Sequence, residues 1–127
     1  MEKSKLTGSL EDYLEIIYIL NKDKGEVRLT DIATNLNCSK PSVSKAIALL
    51  KKEQFINQEK YGQITLTELG QNTAKEIYFR HKTLVSFLKD TLGVDEETAQ
   101  KDACKIEHVI SRKTLDKLLK YMKSKKN

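Results

Sequence analysis

The chain has 127 residues and a net charge of +5, with hydrophobic residues at 39% and charged residues at 32%. That length suits one ordinary domain or two very small ones and excludes a large catalytic barrel, while the apolar share suffices for a core and argues against disorder over most of the chain. Five glycines and one proline favour long helices over a turn-rich β sandwich, and two histidines with two cysteines restrict metal or nucleophile chemistry to very few arrangements.

In chain order, Leu10, Tyr13, Leu14 and Ile17 fall at helical spacing behind Thr7 or Ser9 as N-cap, and Gly25 stops the segment. Val27 to Leu29 is a short β-prone stretch. Thr30 to Asn37 then reads as a short capped helix with Ile32, Ala33 and Leu36 inward, and Ser39 caps a second helix that tolerates Pro41 in its first turn. Val43, Ala46, Ile47 and Leu50 form the inward stripe of that helix. Ile56 to Gln58 and Gln63 to Leu66, joined around Tyr61-Gly62, suit a two-stranded hairpin. A long helical pattern follows from Thr67, carrying Leu69, Ala74, Ile77, Tyr78, His81, Leu84 and Leu88 on one side until Gly93. Asp95 to Ile110 and Thr114 to Met122 complete the helices, and the Lys120 to Asn127 tail is expected to fray.

This order predicts a mainly α protein. An N-terminal winged helix-turn-helix with a small β-hairpin wing spans 1–66, and an all-helical domain spans 67–127. Met1 to Leu10 has no apolar signal core and no apolar run approaches the roughly 18 residues needed to cross a bilayer, so a cytoplasmic protein without membrane contact is expected. Cys38 and Cys104 would then stay reduced.

In a helix-turn-helix the second helix enters the major groove through its N-terminal residues. Ser39, Lys40, Pro41, Ser42, Ser44 and Lys45 stand there: short hydroxyls, a ring suited to a thymine methyl, and lysines that reach guanine or phosphate. Five lysines against two glutamates from Lys40 to Lys60 leave a local +3, and Arg28, Lys60 and Tyr61 add candidate backbone contacts. Lysines on an amphipathic helix are by themselves more often a solvated face; the hairpin and the tight Asn37-Cys38 junction shift the balance toward DNA.

Cys104, Glu107 and His108 are spaced i, i+3, i+4, within one stripe of a helix. Asp12 and Glu15 are three apart on the first helix, and His81 lies on the long one. Carboxylate and imidazole suit Mn²⁺ or Fe²⁺, while thiolate favours softer ions such as Fe²⁺, Co²⁺ or Zn²⁺. Each residue also has a plainer reading: His81 as a packed core residue, Cys104 as a small filler, Asp12 as a partner of the helix dipole, Glu15 as a surface charge. Spacing alone does not link Asp12 and Glu15 to the C-terminal triplet.

Glu11-Asp-Tyr-Leu-Glu-Ile-Ile-Tyr18, Asp31-Ile-Ala33, Pro41-Ser-Val-Ser44, Glu59-Lys-Tyr-Gly62, Leu66-Thr-Glu-Leu-Gly70, Arg80-His81 and Ala103-Cys-Lys-Ile-Glu-His-Val-Ile-Ser111 resemble, in order and over nearly the whole chain, the diphtheria-toxin-repressor family of metal-dependent regulators, which includes the manganese transport regulators. The resemblance implies a homodimeric repressor that binds palindromic operators when a divalent ion, Mn²⁺ or Fe²⁺, occupies a site between the N-terminal domain and the dimerisation helices. It implies ligand roles for Asp12, Glu15, His81, Cys104, Glu107 and His108. The pattern is a hybrid: Asp12 and Glu15 resemble manganese-type members, and Cys104 resembles iron-type members. Where iron-type members complete an ancillary site around the His81 position, Val85 and Gln100 stand here, which assigns His81 to the main cluster. Two other classes compete with a metal-responsive repressor. One is a winged-helix regulator answering to a non-metal ligand or a protein partner. The other is a small metalloenzyme, disfavoured because no His-Glu-x-x-His occurs.

Overall fold

Thr7 opens the first helix, its hydroxyl accepting from the Leu10 N–H at 3.2 Å. In the computed structural model, which describes residues 6–59 and 62–126, helix α1 runs Gly8–Lys24 and ends where the Gly25 N–H bonds the Asn21 carbonyl at φ 89°. Tyr13, Leu14, Ile17 and Tyr18 of α1 are buried. Helix α2 (Leu29–Leu36) starts one residue before the expected Thr30, because the Asp31 carboxylate accepts the Arg28 N–H at 2.9 Å and closes the first turn. The expected β-prone stretch Val27 to Leu29 forms no strand. Among the described residues it makes one ladder-like bond, Ile64 N–H to the Val27 carbonyl at 2.8 Å, since the next backbone groups already serve α2.

Asn37, left-handed at φ 54°, turns the chain sharply out of α2. Ser39 then caps α3 (Lys40–Lys52), taking the Ser42 N–H at 3.3 Å. Val43, Ala46, Ile47 and Leu50 face inward as the periodicity predicts. Strands β1 (Ile56–Gln58) and β2 (Ile64–Leu66) pair antiparallel with Asn57 opposite Thr65. Leu14, Ile17, Ile32, Leu50, Ile56 and Ile64 interlock five elements into one core. Each such side chain contributes about 1.5–3 kcal/mol by leaving water.

Helix α4 (Glu68–Ser86) is anchored at its start. The Thr67 hydroxyl donates to the Gln54 carbonyl at 2.7 Å and accepts the Gly70 N–H at 3.0 Å. Leu69, expected inward, is 50% exposed. Gly70 takes the inward slot instead, so close to the Phe55 carbonyl that a Cβ would lie 1.9 Å from its oxygen. A π-helical turn (Phe87–Thr91) continues α4 before Gly93, and Asp95 caps α5 (Glu96–Ile106) through the Thr98 N–H at 3.1 Å.

The expected helix over Asp95 to Ile110 therefore stops four residues early. Val109 and Ile110 both return their N–H groups to the Ile106 carbonyl, and Ser111 begins the next helix by accepting the Thr114 N–H at 3.1 Å. Helix α6 (Arg112–Lys126) runs four residues past Met122 into the lysine-rich tail, where cations complement the C-terminal dipole. The chain divides into two compact units, one ending at Glu76 and the other beginning at Ile77, with α4 contributing to both. In the second unit Ile77, Leu84, Ala99, Ala103 and Leu115 are buried. Among the described residues no helix is long and apolar enough to cross a membrane.

Candidate metal centre and nucleic-acid interface

The α2–α3 junction is a tight turn through Asn37 and Cys38. The Cys38 N–H bonds the Ala33 carbonyl at 3.0 Å and its thiol donates to the Leu36 carbonyl at 3.4 Å, so Cys38 holds the turn. Burial first and the Cys38 side chain second push the Tyr13 phenol above its ordinary pKa, marking the contact of α1 with this turn. With one face of α3 committed to the core, Ser39, Lys40, Pro41, Ser42, Ser44 and Lys45 are all exposed. Ser39 is partly consumed by its own helix, because its hydroxyl also donates to Ser42 Oγ at 2.9 Å. No acidic residue stands in the first turn of α3, which leaves the positive helix terminus and Lys40 unopposed there. Arg28 is half-buried and lies 3.6 Å from Glu26 in a solvent-accessible ion pair. Lys60 and Tyr61, expected at the hairpin tip, lie outside the described residues.

In the second unit His81, on α4, sets its Nδ1 2.7 Å from Glu107 Oε1. Glu107 caps the C-terminus of α5, and its side chain is fully buried. Its second oxygen, Oε2, is buried with no hydrogen-bond partner, and His108 Nε2 stands 3.7 Å away, too far to donate. A desolvated carboxylate oxygen without a donor costs at least about 1–3 kcal/mol. A cation removes that cost. Two imidazoles and a buried carboxylate are also a donor set that a divalent transition metal accepts, so these residues fit such an ion.

The Cys104 side chain first, and the Glu107 carboxylate second, hold the His81 ring protonated against its burial and push its pKa up to about 11. His81 is thus not a mere core residue on an apolar stripe. Cys104 is exposed on α5 yet acts on His81, so the plain filler reading fails as well. Although α5 ends at Ile106, Glu107 keeps helical backbone angles, φ −60° and ψ −23°, and bonds its N–H to the Ala103 carbonyl at 2.9 Å, so it holds the stripe that the spacing predicts, and His108 follows in the turn.

Asp12 and Glu15 sit one turn apart on α1 in the first unit. Glu15 is only 8% exposed, which excludes a freely solvated surface charge, and Asp12 is half-buried. Sequence reasoning missed a partner of His81: Gln100, whose Oε1 lies 2.8 Å from His81 Nε2. The signal was present, since Gln100 precedes Cys104 by four residues and Glu107 by seven, on the same stripe.

Two family models divide the chain: residues 5–64 match the N-terminal DNA-binding domain of iron-dependent repressors, and residues 67–127 match their metal-binding and dimerisation domain. An uncharacterized HTH-type transcriptional regulator of Methanocaldococcus jannaschii is 39% identical over 96% of this chain and 98% of its own length. The HTH-type transcriptional regulator MntR of Bacillus subtilis is 39% identical over 88% of this chain and 78% of its own. Among solved structures, the manganese regulator SloR superposes with a TM-score of 0.82 at 29% identity, and the T. acidophilum IdeR with 0.79 at 28%. These alignments take in 90% and 88% of this chain, and each spans about half of the solved protein, 53%. The two matched domains follow in order along the chain, which belongs to the iron-dependent repressor family of metal-dependent transcriptional regulators, not to an enzyme family.

Proposed function

We propose that the chain is a cytoplasmic, homodimeric repressor whose binding to palindromic operators is promoted by Mn²⁺ or Fe²⁺, with genes of metal uptake as its targets. The observation that carries this reading is the buried Glu107 Oε2, without a hydrogen-bond donor, beside the His81 and His108 rings. In this reading His81, Cys104, Glu107 and His108 hold the ion from the helical domain, 67–127, and Asp12 and Glu15 contribute carboxylates from the winged helix-turn-helix, 1–66. Bound there, a divalent ion supplies the positive charge that lets Asp12, Glu15 and Glu107 share one environment instead of repelling each other.

Coupling α1 to the dimerisation helices in this way fixes the separation of the two α3 helices of a dimer, so that half-sites one turn apart are engaged together. Metal promotes DNA binding to the extent that it favours that arrangement over others. Phe79, Leu92, Val109 and Tyr121, exposed in the second unit, support pairing with a second copy. Lys40, Pro41, Ser44 and Lys45 would read base edges, with Ser39, Ser42, Arg28, Lys60 and Tyr61 on the backbone.

Anaerobic titration of operator binding with Mn²⁺, Fe²⁺, Co²⁺ and Zn²⁺, followed by electrophoretic shift at two salt concentrations, tests this. Binding should rise steeply with Mn²⁺ or Fe²⁺ and fall with salt. Operator binding that is the same in chelator as in any of these ions would refute the metal dependence. Equilibrium dialysis with no ion bound would favour a non-metal effector.

A further inference from the structure

The His81 ring has two nitrogens, and what each one faces is decided by residues beyond the proposed ligands. Nδ1 faces Glu107 Oε1 at 2.7 Å, and Nε2 faces Gln100 Oε1 at 2.8 Å. An amide offers an oxygen that only accepts and a nitrogen that only donates, so the outcome depends on which way Gln100 is turned. Its Nε2 donates to Glu96 Oε2 at 2.8 Å. Carboxylate accepts and cannot donate, so this bond locks the amide with Oε1 toward His81. Glu96 is itself held, because its other oxygen pairs with Lys89 Nζ, which the π-helical turn brings to the start of α5. Lys89 and Gln100 therefore both donate to Glu96, which leaves Gln100 Oε1 to accept and calls for a hydrogen on His81 Nε2.

We propose that Gln100, fixed by Glu96 and Lys89, is the positioning residue for the metal-binding His81: it keeps the proton on Nε2 and so reserves Nδ1, the nitrogen beside Glu107, for the ion. This rests on the metal reading above. Neither Gln100 nor Glu96 touches the ion in this arrangement. Ligating histidines generally gain orientation and basicity from an acceptor on their second nitrogen, and loss of that acceptor typically lowers metal affinity about 10–100-fold. Because Gln100 is exposed, the lower end of that range applies, about tenfold.

The test uses the full chain and Zn²⁺ as a diamagnetic probe, with ¹⁵N spectra of the His81 ring and Zn²⁺ affinity by chelator competition. In the wild type, the Nε2–H signal of His81 should be protected from exchange in both metal-free and Zn²⁺-loaded protein, with Nδ1 carrying the metal-bound shift. Gln100→Leu should lose that protection and bind Zn²⁺ about tenfold more weakly at an unchanged melting temperature of the metal-free protein. Gln100→Glu, which keeps an acceptor of the same reach, should restore both. A merely structural role for Gln100 would not move the nitrogen assignment. Zn²⁺ bound with undiminished affinity in Gln100→Leu, or bound through Nε2 in the wild type, overturns the positioning role and leaves the metal reading standing. A protected Nε2–H in a wild type that binds no Zn²⁺ overturns the metal reading, and the positioning role falls with it.

Discussion

Replacing Glu107 by Gln separates the fold from the ion. In the metal-free protein the change forfeits a charge-assisted bond from His81 Nδ1, worth about 1.5–3 kcal/mol, but it also removes a buried anionic oxygen that has no donor, whose desolvation costs a similar amount. The two effects oppose each other, so metal-free stability should change by less than about 1 kcal/mol. The ion's contribution does not cancel. At a free Mn²⁺ concentration one hundred times its dissociation constant, binding stabilises the native state by about 2.7 kcal/mol. For a chain of this size about 4 °C of melting temperature accompanies each kcal/mol, which predicts a rise of about 11 °C in the wild type. Glu107→Gln keeps a neutral oxygen of much poorer affinity for a hard divalent ion, so its rise should be below about 3 °C at the same Mn²⁺ concentration. Thermal denaturation followed by circular dichroism, with and without Mn²⁺, measures both quantities. A Gln variant that melts near the wild type without metal and still gains most of the 11 °C would show that the orphaned oxygen is not where the ion binds.

The same ring makes ion binding depend on pH. The His81 pKa is raised from 6.5 to about 11, so the protonated ring's contribution to the metal-free fold is complete below pH 6.5 and is lost as pH climbs through about 11. An ion must displace that proton, so Mn²⁺ affinity should increase about tenfold per pH unit across neutrality, as read by calorimetry at several pH values, and a flat profile would remove His81 from the ligand set. On the DNA side, Lys45→Ala, at an exposed position of α3, should lower the slope of log affinity against log salt by about one and weaken binding to all duplexes if the lysine meets phosphate; a loss confined to one operator position would assign it to a base instead. Gly70→Ala should cost about 3 kcal/mol in urea denaturation, because the new Cβ would lie 1.9 Å from the backbone oxygen of Phe55 and neither backbone can yield; a cost under about 1 kcal/mol would mean that α4 shifts freely.

Where side-chain spacing and backbone demand agree, the sequence is a sufficient guide. Val43, Ala46, Ile47 and Leu50 line the core because an apolar stripe and a serine cap act on the same helix, and Ser39 is read correctly for that reason. Where they compete, the stripe misleads. Glu107-His-Val-Ile110 continues a helical pattern from Cys104, yet the Ser111 cap for α6 ends α5 at Ile106. Leu69 fits the apolar side of α4, yet the close approach of Gly70 to Phe55 turns it outward. Both misses have one cause: local periodicity reports what a helix could bury, while caps and close approaches decide where the helix begins and ends.

At the candidate site, Glu107 keeps helical backbone angles at the end of α5, so spacing places it correctly on the stripe of Cys104. As the C-cap of α5 it is fully buried, with one oxygen on the His81 ring and the other unpaired. The ligand types are therefore legible in the sequence, but the feature that favours an ion is not, because a buried oxygen without a hydrogen-bond donor is a property of packing that spacing cannot express. The same limit hid Gln100. Its distance from Cys104 and Glu107 marks the correct face, but only the lock of its amide onto Glu96 makes it an acceptor for His81 rather than a donor, and that direction depends on a lysine carried by a π-helical turn whose sequence, Phe87 to Thr91, is compatible with an ordinary helix.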